Sequence, residues 1–277
     1  MRSRVALAAV ATSFILSGCS KNDKNDSARK PVQPPTVVVT ATEYAFDAPD
    51  TIASGPTVIR LVNHGMEAHH VSMFRLDSAH TVQDMMAQPE GASPAWIVPV
   101  GGPNAATPGD SVRATINLEP GNYVMLCFIP SADLKPHFMK GMVRPITVVA
   151  ATGPVAAEPE ADVVATLKEY SFEFAPAITS GRHTIRINNA GNQDHEMILV
   201  RLQPGKKIQD FVNWTNTMQG PSPGQVINGM SGLGSGQHAF VTDNFTPGDY
   251  GLVCFVPDNK DGKSHFMHGM MQDFTVS

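Results

Sequence analysis

The chain has 277 residues, of which 42% are apolar, 7% aromatic and 16% charged, with 23 Gly and 22 Pro. That length fits about two domains, and Gly and Pro spread along the whole chain exclude a helical bundle in favour of short strands joined by turns. A formal net charge of −5 excludes the basic footprint of a nucleic-acid binder, and three cysteines exclude a dense disulfide framework.

Arg2 and Arg4 give the chain a positive start, and Val5 to Leu16 follow as a mostly apolar run. The run is short of the roughly 17–25 residues that a membrane-spanning helix needs. It ends in Leu16-Ser17-Gly18-Cys19, which resembles the lipobox of bacterial lipoproteins. That resemblance implies a signal peptide over residues 1–18, removed before Cys19, and a lipid on the Cys19 thiol. Residue 20 is Ser rather than the Asp that keeps some such lipoproteins in the inner membrane, so an outer-membrane anchor is expected. Losing two arginines with the signal leaves a charge of −7. Residues 19–35 are polar, charged and end in Pro, which is the composition of a flexible tether. The expected location is therefore the cell envelope, on the periplasmic side, lipid-anchored.

Beyond the tether the apolar pattern has period two. Thr36–Thr40, Thr57–Leu61 and Val112–Ile116 are β-branched runs of strand length, separated by turn signals such as Pro108-Gly109-Asp110. A short helix is expected near Thr81 to Gln88. The pattern then repeats. Glu43-Tyr44-Ala45-Phe46 recurs as Glu169-Tyr170-Ser171-Phe172 at an offset of 126, Pro120-Gly121-Asn122-Tyr123 as Pro247-Gly248-Asp249-Tyr250 at 127, and His137-Phe138-Met139 as His265-Phe266-Met267 at 128. The second copy has its own strand-like runs at Val163–Leu167, Thr184–Ile187 and Ala239–Val241, and a helical segment near Lys207 to Thr217. Residues 36–149 and 161–277 thus read as tandem all-β sandwich domains, joined by a small, Pro-containing, acidic linker over 150–160.

Each copy carries the same ordered donors. The first has His69, then Cys127-x9-His137-x4-Met142; the second has His195, then Cys254-x10-His265-x4-Met270. Two imidazoles, a thiolate and a thioether form a mixed soft and borderline set that suits copper, and a trigonal His₂Cys site with a long axial Met is the blue-copper arrangement. Met139, Met267 and Met271 compete with Met142 and Met270 for the axial place. The Gly-Met context favours Met142 and Met270.

The chain resembles tandem cupredoxins, the plastocyanin and azurin group. The resemblance rests on an Asn-x-Gly turn before the first His, a Pro-Gly-x-Tyr corner before the Cys, and a Gly-Met end to the ligand loop. It implies two Greek-key β-sandwiches with one copper each, held by His69, Cys127, His137 and Met142, and by His195, Cys254, His265 and Met270. Nine or ten residues separate Cys from His here, more than in plastocyanin-like loops and similar to copper nitrite reductases. The enzymes of this group need further copper ligands beside the Cys or soon after the first His. Here those places hold Leu126, Phe128, Val253, Phe255, Phe74 and Val200, all apolar. The expectation is therefore a one-electron carrier and not an enzyme. The second histidine of each set is expected near the surface as the electron exit, with Phe138-Met139 and Phe266-Met267 as a docking patch for a redox partner such as a c-type cytochrome. A copper chaperone or storage lipoprotein, and a metal-free tandem sandwich used for binding, are the alternatives.

Overall fold

The computed structural model describes residues 32–89 and 94–277. Cys19, the signal peptide and most of the tether lie outside the described residues. The first repeat forms strands β1 (Thr36–Thr42), β2 (Ala45–Asp47), β3 (Thr51–Ala53), β4 (Gly55–Asn63) and β5 (Ser72–Leu76), helix α1 (Val82–Met86), then β6 (Ile97–Gly101), β7 (Ser111–Leu118), β8 (Gly121–Leu126) and β9 (Val143–Val149). The second forms β10 (Val163–Lys168), β11 (Ser171–Ala175), β12 (Gly181–Asn189) and β13 (His195–Leu202), helix α2 (Ile208–Thr215), then β14 (Gly224–Leu233), β15 (His238–Phe245), β16 (Gly248–Val253) and β17 (Met271–Val276). Every strand expected from periodicity lies inside one of these strands, and each helix falls within the segment expected to hold it. Among the described residues, no helix is long and apolar enough to cross a membrane.

Alternation along the strands fixes which face is buried. In β4, Ile59 and Leu61 point inward and are fully buried, while Arg60 between them is exposed. One face of each sheet therefore meets the other across an apolar core. Each repeat is a cupredoxin-like sandwich, with its first strand pairing parallel to the long hairpin strand: β1 with β4, and β10 with β12. The Pro-Gly corners are tied by tyrosines. Tyr123 Oη donates to the Glu119 carbonyl at 2.8 Å and accepts from the Glu119 N–H, and Tyr250 does the same with Thr246. These corners orient β8 and β16, the strands that end at the two cysteines. Beneath α2 a satellite core of Ile208, Phe211 and Val212 meets Val200 and Val253.

The two sandwiches share their sheets. One sheet runs β11-β10-β12-β15-β7-β4-β1-β2 and the other β17-β16-β13-β14-β6-β5-β8-β9-β3, so both continue from one repeat into the other. The joins are the β15–β7 and β14–β6 pairings. The core is correspondingly continuous across both repeats. Residues 150–160 carry no strand or helix, and Glu158 there bonds His238 at 2.7 Å.

Next to the β14–β6 join, the backbone of each repeat approaches its own neighbouring segment so closely that two positions require glycine. A Cβ added to Gly102 would run into the Val71 carbonyl oxygen, and one added to Gly229 into that of Met197; their φ values are +148° and +144°. Gly229→Ala should therefore destabilise the fold by about 2 kcal/mol or more. Gly262→Ala, at φ +72° with open space around it, should cost no more than about 1 kcal/mol from backbone strain alone. Urea unfolding midpoints of the two variants test this ordering.

Candidate metal centres

Both donor sets assemble at the same end of their sandwiches. Asn63 closes the loop before the first set: its Nδ2 donates to the Glu67 and Ala106 carbonyls at 2.7 and 2.9 Å, and its Oδ1 accepts from Gly65 N–H at 2.8 Å. Asn189 makes the same three bonds with Gln193, Leu233 and Gly191. The Asn-x-Gly signature thus acts through a side chain that satisfies a tight backbone turn. It delivers His69 to an isolated bridge with Ala106 just before β5, and His195 to the first residue of β13.

Cys127 and Cys254 follow directly on β8 and β16. The long excursion after each cysteine is pinched at its neck by the bridges Pro130↔Pro136 and Pro257↔Ser264. Consequently nine or ten intervening residues return His137 and His265 to the cysteine, with Phe138 N–H donating to the Cys127 carbonyl at 2.8 Å and Phe266 N–H to that of Cys254 at 2.9 Å. Each histidine opens a single 3₁₀ turn, His137–Lys140 or His265–His268, closed by Gly141 or Gly269 in the left-handed region. The chain then reaches Met142 and Met270. Both are fully buried, whereas Met139 and Met267 are 67% and 61% exposed. Exposure sets Met139 and Met267 aside, because a thioether turned to solvent cannot face a buried thiol, while Met271 is half-buried at the start of β17. Cys254 N–H also donates to the Met270 carbonyl at 3.2 Å.

The donor atoms converge. In the first set His69 Nδ1 lies 3.0 Å from His137 Nδ1, and Cys127 Sγ lies 3.4 Å from His137 Nδ1. The second set repeats this with His195 and His265 at 3.0 Å and Cys254 Sγ at 3.5 Å. All six side chains are fully buried, and both cysteines are free thiols. Burial, with the neighbouring imidazole as the next cause, holds His69 and His195 below the usual histidine range, His195 at about 4. Burial also pushes the Cys127 thiol up to about 12 and the Cys254 thiol well above its ordinary value. Two neutral imidazoles and a protonated thiol thus aim their donor atoms at one another. In the first set His137 Nε2 faces the Glu67 carboxylate at 2.7 Å, so it carries that ring's proton and leaves Nδ1 free to accept. A soft cation between these atoms would find lone pairs already turned toward it. Each His, Cys, His, Met group fits one type 1 copper.

Several supporting residues escaped the sequence reading. Glu43 and Glu169, first residues of the repeated Glu-Tyr-x-Phe motif, accept backbone N–H groups of the loop before each first histidine, from Met66 and Asn192 respectively. Tyr44 and Tyr170 both take φ near +60° and lay their rings 5.1 and 5.5 Å from His137 and His265. His70 and Glu196, each next to a first histidine, donate backbone N–H to the cysteine sulfur at 3.5 and 3.4 Å. Their side chains accept the N–H of Phe128 and Phe255 at 2.8 Å. An anchor of this kind holds the sulfur in place from outside the donor set. The carboxylate at the rear of each second histidine changes position between repeats. Glu67 with Ser131 in the first becomes Gln193 with Asp258 in the second, where Asp258 sits 3.8 Å from His265 Nε2. Hydrogen bonds from Tyr170 and Gln193 hold the Asp258 carboxyl well below the usual carboxylate range.

His137 and His265 are fully buried but lie just beneath the surface: Met139 and Met267, two residues on, are exposed, and the Tyr44 and Tyr170 rings lie against the two imidazoles. His268 takes the place of Lys140: both reach an aspartate, Asp261 or Asp133, beside the tyrosine ring.

Two cupredoxin-type sandwiches, each with a buried His, Cys, His, Met group, give the chain the fold and the donor sets of a blue copper protein. No protein-family model matches the chain, and no curated protein matches it in sequence. Solved structures are similar to it. Dithionite-reduced auracyanin from Roseiflexus castenholzii is 22% identical, over 43% of this chain and 99% of its own, with a TM-score of 0.28. Auracyanin A, a "blue" copper protein from Chloroflexus aurantiacus, is 18% identical over 42% and 99%, with a TM-score of 0.30. A multicopper oxidase is 16% identical over 87% and 88%, with a TM-score of 0.25. Likenesses this slight carry no weight for function, which rests on the donor geometry.

Because the imidazoles are already neutral and the thiols protonated, the only proton a cation must displace at each set is that of its cysteine. Near pH 8, above the ordinary histidine pKa of about 6.5, Cu(II) binding to the metal-free chain should release about one proton per site. Titration in a pH-stat measures it.

Proposed function

We propose that the chain is a membrane-anchored, two-domain copper protein that carries single electrons through type 1 sites. The observation that carries this reading is the pair of buried Nδ1 atoms 3.0 Å apart beside a free thiol, present in both repeats. When bound, copper supplies a one-electron Cu(II)/Cu(I) couple. The protein's own part is to hold its donors still. His69 and His195 are fixed by the asparagine-stapled loops, Cys127 and Cys254 by the ends of β8 and β16, and the second histidine and methionine by a glycine-closed turn. Donors held by a packed sandwich rearrange little when the charge between them changes, which favours fast electron exchange.

The reading includes no catalysis. Leu126, Phe128, Val253, Phe255, Phe74 and Val200, at the places where a second copper would need ligands, are apolar. It places the chain in the cell envelope, periplasmic and lipid-anchored through Cys19, on the lipobox resemblance and the outer-membrane expectation drawn from Ser20. For a partner it takes a redox protein such as a c-type cytochrome, bound briefly at the apolar surface over each second histidine. Met139 and Met267 are exposed there, with Phe138 and Phe266 half-buried beside them. Small apolar contacts of this kind suit weak, short-lived encounters.

Cu(II) titration of the purified chain separates the readings. Uptake of one copper at each of the two sets, with intense visible thiolate-to-copper absorption, is expected. Cys127→Ser and Cys254→Ser should each remove one set's share of the band, and the double variant all of it. Tight Cu(I) binding without the band would point to a chaperone or store, and absence of binding to a metal-free binding module.

Phe138→Asp and Phe266→Asp should slow electron exchange with a c-type cytochrome while leaving the visible band unchanged. Stopped-flow mixing reads the rate, and the spectrum shows whether the site is intact.

A further inference from the structure

The join between the repeats is built on the two donor sets themselves, with an approximate two-fold relation between its halves. Pro103 and Met230, at equivalent positions of the repeats, form an antiparallel bridge with each other. The flanking bonds are equivalents too: Ser231 N–H donates to the Gly102 carbonyl at 3.0 Å, and Asn104 N–H to the Gly229 carbonyl at 3.3 Å. On one side Met230 pairs with Met197, two residues past His195. On the other, Val71, two residues past His69, donates its N–H to the Pro103 carbonyl at 3.1 Å. Adjacent strands lie ~4.8 Å apart, so the three steps from Met197 through Met230 and Pro103 to Val71 place the ligand-bearing backbones on the order of 14 Å apart.

Side chains reinforce this ladder. Ser231 is fully buried, and its Oγ donates across the join to the Val71 carbonyl at 2.8 Å. Asn104, equally buried, accepts the Ala105 N–H on its Oδ1 at 2.7 Å and leaves its Nδ2 without a partner among the described residues. From Asn104 the chain passes through Ala105 to Ala106, which exchanges both backbone hydrogen bonds with His69, at 3.1 and 2.8 Å. Each first histidine is thus linked to the other by short runs of covalent bonds joined by hydrogen bonds. Gly102 and Gly229 let each half of the ladder lie against the segment of its own repeat that follows the first histidine. Electron tunnelling decays less steeply along covalent and hydrogen bonds than across van der Waals gaps.

We propose that the Gly101–Asn104 and Gly229–Leu233 ladder, with Ser231 and Asn104, is an internal electron bridge between the two copper donor sets. This rests on the blue-copper reading above and makes the chain a relay between two sites in place of two independent carriers. The step moves one electron from the set holding Cu(I) to the set holding Cu(II); no bond is made or broken and no proton moves.

The test loads both sets of the full chain with Cu(II) and injects fewer electrons than sites with a pulse-generated small-radical reductant. Redistribution is followed through the separate electron paramagnetic resonance signatures defined by the Cys127→Ser and Cys254→Ser chains. A redistribution rate independent of protein concentration is expected, slowed severalfold by Ser231→Ala with both signatures unchanged. In the metal-free chain, the Asn104 and Ser231 amides should exchange with deuterium as slowly as those of β5 and β13. A rate proportional to protein concentration overturns the bridge, as does a rate unaltered by Ser231→Ala or loop-fast exchange of the two amides. Loss of any copper signature in both single-site chains is instead the failure of the blue-copper reading, and the bridge falls with it.

Discussion

The structure depends on bringing two imidazoles and a thiol together in a site sealed from water. Two imidazole nitrogens are held 3.0 Å apart with the sulfur beside them. Burial keeps the imidazoles uncharged and leaves on the sulfur a proton that a cation would displace. The outer Nε2 atoms of His69, His195 and His265 find no hydrogen-bond partner among the described residues, and polar atoms buried in this way are costly. Their double occurrence means that the surrounding sandwich is shaped to hold them against that cost. The asparagine staples, tyrosine corners and glycine-closed turns all serve the same placement.

The two sets are alike within a few tenths of an ångström at their donors and differ behind them. In the first, a half-exposed Glu67 contacts His137 directly and a neutral His70 anchors the sulfur loop. In the second, a buried Asp258 stands off from His265, and the anchor is Glu196, whose carboxyl burial pushes up to about 7. Carboxylates near a metal favour its higher charge state, so this rearrangement gives one chain two sites in unequal electrostatic settings. Unequal sites joined through a shared ladder have a use that identical isolated ones lack.

Much of the fold was legible because period-two alternation, β-branched runs and turn residues are local signals. β1, β4, β7 and their counterparts β10, β12 and β15 show all three. The short edge strands β2 and β3, and β6 with its Pro99 and Gly101, carry too little pattern to be seen. The donors were legible for a different reason: a set of rare residue types recurred in order at a nearly constant offset. Glu43, Glu67, Asn104, Glu196, Asp258 and Ser231 were not, since their residue types are ordinary and their partners lie far along the chain. The repeat offered a handle on some of them, as Glu43 and Glu169 head a motif found twice.

The sequence by itself determined the strand-rich class, the duplication and the six His and Cys side chains that converge in two groups, because these follow from residue type, spacing and self-similarity. Only the tertiary structure decided that both second histidines are buried, that Met142 and Met270 rather than their exposed neighbours face inward, and that the two repeats share continuous sheets. Those facts depend on how distant segments meet. A hydrogen bond such as that from Ser231 to the Val71 carbonyl leaves no trace in the order of residues, because 160 positions separate its ends.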